Sequence, residues 1–485
     1  MQLVSMILVS CIIGDGLLMF YGRKAELEKL NEMYNSGRFE FAVIYGRRRV
    51  GKTTLIREFI KGKKALFFTA CESTASDNLL SLSRCIGGKS SAPVFRDYES
   101  ALSAISEIAD NERVVFVIDE FPYLAESYRG ISSLLQIMVD NNRENFKLFL
   151  ILCGSSMSFM ENQVLGYQSP LYGRRTAQFK ILPFTFFESL PFFENFGPID
   201  KAVLYGITGG IPEYLNKINP QKDVRENIID LFLTTSGHFF EEPSNLIKQE
   251  LREPSTYNVI IESIACGASR LNEIATKSEL ESNKCAKYLA SLKTLGLVSK
   301  DHPFGETASK RSIYKLEDQM FRFWYRFVFT NLSAINAGLG AAVYDNEVQP
   351  HINTYMGLVF EDICKQWLFE QTKRNVSPFF IGSLGRWWGT NPKTRGQEEI
   401  DIMAVRKDDA LFAECKWQNA DIGVEVYNEL KRKSELFSYK NTHLYIFAKK
   451  MFGEKLLRLE HEHGLVRLLS LSEMIDSTGQ RNESG

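Results

Sequence analysis

The chain has 485 residues, 44% hydrophobic and 24% charged, with a formal net charge of −1. That length exceeds what one hydrophobic core supports and implies about three domains. Near-neutrality excludes a global field drawing in nucleic acid, so any such site is a local patch. The 8 cysteines lack C-x-x-C spacing and histidine partners, which excludes structural zinc and fits a reduced, cytoplasmic protein.

Residues 1–18 are apolar, with no Lys or Arg before Arg23, so the charged start of a signal peptide is missing. Asp15 and two glycines leave the stretch short for a membrane span. Its Leu8-Val-Ser-Cys11 loosely resembles a lipoprotein cleavage box, but the stronger reading is an extension ahead of a natural start at Met19. No membrane partner is expected.

Residues 19–184 alternate helical patterns with short apolar runs at 41–45, 65–69, 114–118 and 148–153. These are read as parallel strands covered by helices on both faces, an α/β doubly wound sheet. The first run feeds Gly46, Arg47, Arg48, Arg49, Val50, Gly51, Lys52 and Thr53, and a helical pattern begins at Thr54. Strand, G-x-x-x-x-G-K-T loop and helix together form the P-loop context, in which backbone N–H groups wrap phosphates at a helix N-terminus. Lys52 would reach the β- and γ-phosphates, and the Thr53 hydroxyl would ligate Mg²⁺. A nucleoside triphosphate, ATP, is therefore the expected ligand. The third run ends in Asp119-Glu120. Asp119 sits where a carboxylate supports the magnesium ion, and Glu120 where one orients or deprotonates the attacking water.

Residues 185–251 read as a helical lid. Helices at 257–266, 270–276 and 282–295, then apolar segments bracketing a loop rich in Gly, Ser and Lys, give the order of a winged helix over 255–320. Its third helix offers Asn283, Lys284, Lys287 and Lys293 to DNA, with Lys310 and Arg311 in the wing. Protein contact is the equal alternative. The connector 321–345 interleaves arginines with aromatics over 321–329, as base stacking or, more often, a buried helix requires.

The last domain, 346–475, has a helix at 356–371, strands at 400–405, 410–415 and 442–447, and an amphipathic helix at 424–437. A polar tail follows from 476. Asp401 opens one strand, and Glu414-Cys-Lys416 ends the next. Paired as a hairpin, the strands would bring Asp401, Glu414 and Lys416 together. Two carboxylates could there hold a second Mg²⁺ or Mn²⁺, with Lys416 positioning a nucleophile or stabilising a transition state. A solvated sheet edge without activity is the competing reading. Lys431, Arg432 and Lys433 read as a solvated helix face.

Phe20-Tyr-Gly-Arg23, Gly46–Thr53, Val114–Glu120 and Gly209-Gly-Ile-Pro-Glu-Tyr-Leu215 resemble the prokaryotic archaeal-type ATPases, relatives of the AAA+ and STAND P-loop proteins. The resemblance implies an adenine site at Tyr21, Gly22 and Pro212, although Gly-Gly-Ile-Pro also reads as a plain helix-breaking turn. It implies a γ-phosphate sensor at Ser155 or Ser156, where many relatives carry Asn instead. It also implies an arginine, Arg174 or Arg175, completing the site from a neighbouring subunit or domain, which requires a homo-oligomer in the first case. The D…E-x-K pattern resembles the PD-(D/E)xK nuclease superfamily, which adds Glu361 to the acids and gives Glu399 an assisting role. Together these features imply an ATPase coupled through a winged helix to a nuclease-like domain acting on DNA. The alternative is a nucleotide-driven switch that binds DNA or protein, with the nuclease-like domain silent.

Overall fold

The computed structural model describes residues 20–88, 94–142, 147–306 and 311–479. The amino-terminal extension, Lys310 and the residues after 479 lie outside that set. The chain divides into two compact units, Met1–Pro183 and Phe184–Gly485.

The first unit is built on a five-stranded parallel sheet of order β2-β3-β4-β1-β5. Its strands are β1 (Glu40–Tyr45), β2 (Ala65–Thr69), β3 (Val114–Asp119), β4 (Leu148–Gly154) and β5 (Ala177–Lys180). Successive side chains on a strand point to opposite faces, and the central strands are apolar at both parities. Phe41, Val43 and Tyr45 therefore enter one core with Leu82, Leu102 and Leu135. Ala42 and Ile44 enter another with Leu30, Leu55 and Phe59. The result is a three-layer sandwich, as the continuous apolar runs predict. Local signals set the helix starts: the Asp97 side chain accepts from Ser100 N–H, and the Ser100 hydroxyl accepts from Asp97 N–H, satisfying amides that a helix N-terminus leaves open.

The second unit opens with the short helix Phe186–Ser189, and longer helices follow at Pro198–Thr208, Val224–Phe232 and Glu242–Glu250. Three more, Pro254–Ala265, Leu271–Lys277 and Ser282–Thr294, lead into an antiparallel ribbon of β6 (Val298–Asp301) and β7 (Ile313–Leu316). The aromatic connector is core: Phe321, Phe323, Trp324, Tyr325 and Phe327 are all buried, which removes it from base stacking. Trp324 Nε1 donates to Phe240 O at 2.8 Å, and Tyr355 OH lies 2.6 and 2.8 Å from Gly206 O and Gln319 O. These bonds satisfy polar groups that burial would otherwise leave costly.

A mixed sheet of order β12-β11-β10-β9-β8 closes the unit. Its strands are β8 (Gly385–Thr390), β9 (Gln397–Arg406), β10 (Asp409–Lys416), β11 (Asn441–Ala448) and β12 (Arg467–Ser470). The long helix Ile352–Lys373 packs Phe360, Ile363 and Cys364 with Leu411 and Ala413. The helix Val424–Ser434 packs Tyr427 and Leu430 with Ala410 and Phe412. The edge strand β8 was not expected, and the helix Leu471–Gly479 runs past the predicted start of the tail at 476. Among the described residues, no helix is long and apolar enough to cross a membrane.

Candidate functional site

The turn from β1 into the helix Lys52–Ile60 is dictated by backbone geometry. A Cβ on Gly46 would lie 2.3 Å from Ile181 O, so only glycine fits there. Arg49 and Gly51 take φ of 70° and 89°, the left-handed region that glycine enters at least cost. Lys52 is buried, and its Nζ donates to Gly46 O and Arg47 O at 2.9 and 2.8 Å. Burial lowers its pKa, while the nearby Asp119 and Glu120 oppose that shift. Val50 is buried, Thr54 is exposed, and Arg48 Nη2 donates to Tyr123 OH at 3.0 Å.

Thr53 Oγ1 lies 3.0 Å from Asp119 Oδ2. The helix start and the end of β3 thus present a hydroxyl and a carboxylate side by side, an all-oxygen donor pair that fits Mg²⁺ bound with a triphosphate. Glu120 follows in the left-handed region, φ 52°. Its Oε2 accepts from Ser155 N–H at 3.2 Å and from Ser155 Oγ at 2.9 Å. The residue expected to sense the γ-phosphate is therefore in contact with the expected base, across the adjacent ends of β3 and β4.

Tyr21 and Gly22 lead into Arg23, whose Nη2 donates to Val50 O at 3.3 Å and to Leu182 O. That link brings the segment up to the loop, and sequence reasoning overlooked Arg23 as its anchor. Pro212 opens the short helix Pro212–Leu215 of the second unit. Arg174 and Arg175 precede β5, at the end of the sheet where strands begin, whereas the P-loop follows the end where they finish. Thr176 N–H bonds to Phe41 O, four residues before Tyr45, or about 13 Å along the strand. Arg174 forks onto Asp140, with both N–O distances 2.7 Å. The structure thus does not bring Arg174 to its own P-loop.

The second cluster lies around the end of β10. Antiparallel pairing of β9 with β10 reaches Ile402 and Ala413, which sets Asp401 beside Glu414. Asp401 Oδ2 accepts from Cys415 N–H at 2.8 Å. Burial, with the neighbouring Glu414 and Glu361 carboxylates, pushes the Asp401 pKa up to about 7. Burial likewise raises Glu361, against Lys365 and Arg386. Burial also acts to raise Glu414, but Lys416 and Lys433 outweigh it and hold its pKa low. Lys416 Nζ lies 2.7 Å from Glu414 Oε2, and Lys433 Nζ 2.8 Å from Glu414 Oε1. Arg386 donates to Glu399, which gives that acid a partner of its own.

Two expectations meet a different arrangement here. Among the described residues, no group of three or more His, Cys, Asp or Glu side chains is arranged to hold a metal ion. Glu361, Asp401 and Glu414 are thus not gathered around one ion position: ammonium groups lie against both oxygens of Glu414, and a backbone amide donates to one of Asp401. Lys433 is not on a solvated face but buried, 8% exposed. Its spacing from Tyr427 and Leu430 (i+6 and i+3) could have shown this, because residues three apart share a helix face. Arg311 is exposed in the wing, where it pairs with Glu306 and donates to Trp388 O at 3.3 Å.

The raised Asp401 pKa carries a sign. Folding favours its protonated form, so the stability it contributes is full below about pH 4 and is lost as pH rises through the folded value. Urea midpoints of the second unit are expected to fall over that range, and the fall to be shallower in Asp401→Asn. An unchanged slope would assign the pH dependence to other groups.

Residues 20–218 match the family described as an ATPase domain predominantly from Archaea. Residues 324–433 match the family described as archaeal and bacterial proteins of unknown function. An uncharacterized protein of Methanocaldococcus jannaschii is 36% identical over 432 residues, spanning 86% of this chain and 92% of that protein. An uncharacterized ATP-binding protein of the same organism is 49% identical over 49 residues, 10% of this chain and 83% of that protein. Among solved structures, the Walker-type ATPase of Pyrococcus abyssi is similar at 18% identity and a TM-score of 0.48, covering 63% of this chain and 96% of that one. With a relative matched along nearly its whole length, and both family regions present in order, the chain belongs to the predominantly archaeal P-loop ATPases that join this ATPase domain to a distinct C-terminal domain.

Proposed function

We propose that the chain hydrolyses ATP and that nucleotide turnover governs the action of its second unit on DNA. The observation that carries the first part is the 3.0 Å contact of Thr53 Oγ1 with Asp119 Oδ2 at a complete P-loop, with Glu120 beside it. Lys52 would leave the Gly46 and Arg47 carbonyls for the β- and γ-phosphates. Glu120 would take the proton of the attacking water, and Ser155 would hold that carboxylate until then. Magnesium, bound with the nucleotide near Thr53 and Asp119, supplies charge neutralisation. Tyr21 and Gly22 stand as adenine contacts. In an oligomer, Arg175 is the arginine a neighbouring copy would offer, or Arg174 once released from Asp140.

The DNA part is supported by three helices followed by an antiparallel ribbon, with Asn283, Lys284, Lys287 and Lys293 exposed on the third helix. It is also supported by Asp401, Glu414 and Lys416 meeting in one sheet beside the helix that carries Glu361. A second reading is favoured by a specific observation, the pairing of Glu414 with two lysines. On that reading the nuclease-like domain binds without cutting, and the chain works as a nucleotide-driven switch.

Magnesium-dependent ATP turnover and duplex DNA binding by the full chain test both parts. Lys284→Ala with Lys287→Ala is expected to weaken DNA binding and to lower the slope of log K against log salt by about 2. No ATP turnover would sink the first part, and an unaltered salt slope the winged-helix assignment. Cutting that disappears in Asp401→Ala would select the nuclease, whereas tight binding without cutting would select the switch.

A further inference from the structure

The carboxylates of the C-terminal cluster would be expected to attract a divalent ion, yet their arrangement does not offer one a place. We infer that Lys433 is the resident cation of this cluster: its ammonium occupies Glu414 Oε1 and keeps a divalent ion from that carboxylate. The inference deepens the reading of this site and rests on Asp401 and Glu414 being its acids.

The helix Val424–Ser434 carries three consecutive basic residues, and geometry separates them. Lys431 is exposed, and Arg432 forks onto Glu398 at 2.6 and 2.9 Å. Lys433 turns inward with Tyr427 and Leu430, and its ammonium reaches the buried Glu414. An uncompensated charge at that depth would be costly, so the lysine and the glutamate hold each other in place. Lys416 contacts the other oxygen, so Glu414 lies between two positive charges.

The two lysines are not equivalent. The Lys416 side chain is 33% exposed and can swing to water, whereas that of Lys433 is 10% exposed. A second carboxylate beside Lys433 is Glu429, one turn earlier on its own helix, at 3.2 Å. A divalent ion approaching Glu414 must therefore compete with Lys433. The side chain acts through Glu414 and is a positioning residue that sets which cation the cluster accepts.

The test is Mn²⁺ titration of the nucleotide-free full chain, read by electron paramagnetic resonance, with Asp401→Ala reporting ions bound elsewhere. A charge-assisted contact is worth about 1.5–3 kcal/mol. Lys433→Met is therefore expected to bind Mn²⁺ about ten- to a hundredfold more tightly than the parent. Lys433→Arg, which keeps the charge, should stay near the parent value. Lys433→Gln carries the same expectation as Lys433→Met and keeps a polar group, so it decides the matter if Lys433→Met does not fold. Equal or weaker Mn²⁺ binding by the neutral variants overturns the inference, as does a gain that survives Asp401→Ala. A parent that binds Mn²⁺ tightly, with no gain in the variants, leaves a metal-dependent cluster standing while the role of Lys433 falls. A parent that does not bind, with variants that do, supports Lys433 and removes metal-dependent cleavage by the parent.

Discussion

Glu120→Gln is expected to reduce ATP turnover by about 10²–10⁴-fold while leaving ATP binding near the parent level. The glutamine is isosteric, and its amide oxygen can still accept from Ser155 N–H and Oγ. It cannot take a proton from water, so the loss should appear in kcat rather than in nucleotide affinity. Lys52 and Thr53 are untouched, which keeps the phosphate cradle and the metal-binding oxygens intact. Nucleotide affinity measured beside single-turnover hydrolysis separates the two quantities. Unchanged hydrolysis would remove Glu120 as the base, and lost binding would show that its role is to hold the end of β4. Ser155→Ala is a milder probe of the same contact, because the backbone N–H of residue 155 still holds Oε2.

Local chemistry explains what could be read ahead of the structure. The P-loop was legible because its requirements are sequential: an apolar strand, glycines where Cβ clashes or φ is positive, and a lysine on the first helical turn. β1, β3 and β4 were legible because strands buried on both faces are apolar at every position. The order of three helices and a ribbon was readable from periodicity alone. Contacts between residues far apart in sequence were not readable. Nothing around Arg174 announces Asp140, and nothing around Arg311 announces Trp388. β8 hid because its Gly-Arg-Trp-Trp-Gly-Thr sequence is half-buried and lacks an alternating pattern. In the C-terminal cluster the acids were identifiable by type and spacing, but their charge state was not. Lys433 comes from a different helix, and only the fold sets it against Glu414.

The consequence of that placement is a stability prediction. Removing one partner of a buried ion pair costs about 3–5 kcal/mol, because the remaining charge is left without compensation. Glu414→Ala is expected to fall in this range, read as a lower urea midpoint for the second unit at an unchanged slope. Lys416 can turn to water, so most of the loss should come from Lys433, buried beside Glu414. Adding Lys433→Met to Glu414→Ala should then recover a large share of the lost stability, since the stranded ammonium is gone and an apolar side chain of similar length fills its path. A double-mutant cycle measures this coupling directly. Additive losses would instead mean that Glu414 stabilises the sheet by packing and its contact with Lys416. Strong recovery would make the buried ammonium the source of the cost, the physical condition under which Lys433 can hold the carboxylate against an incoming ion.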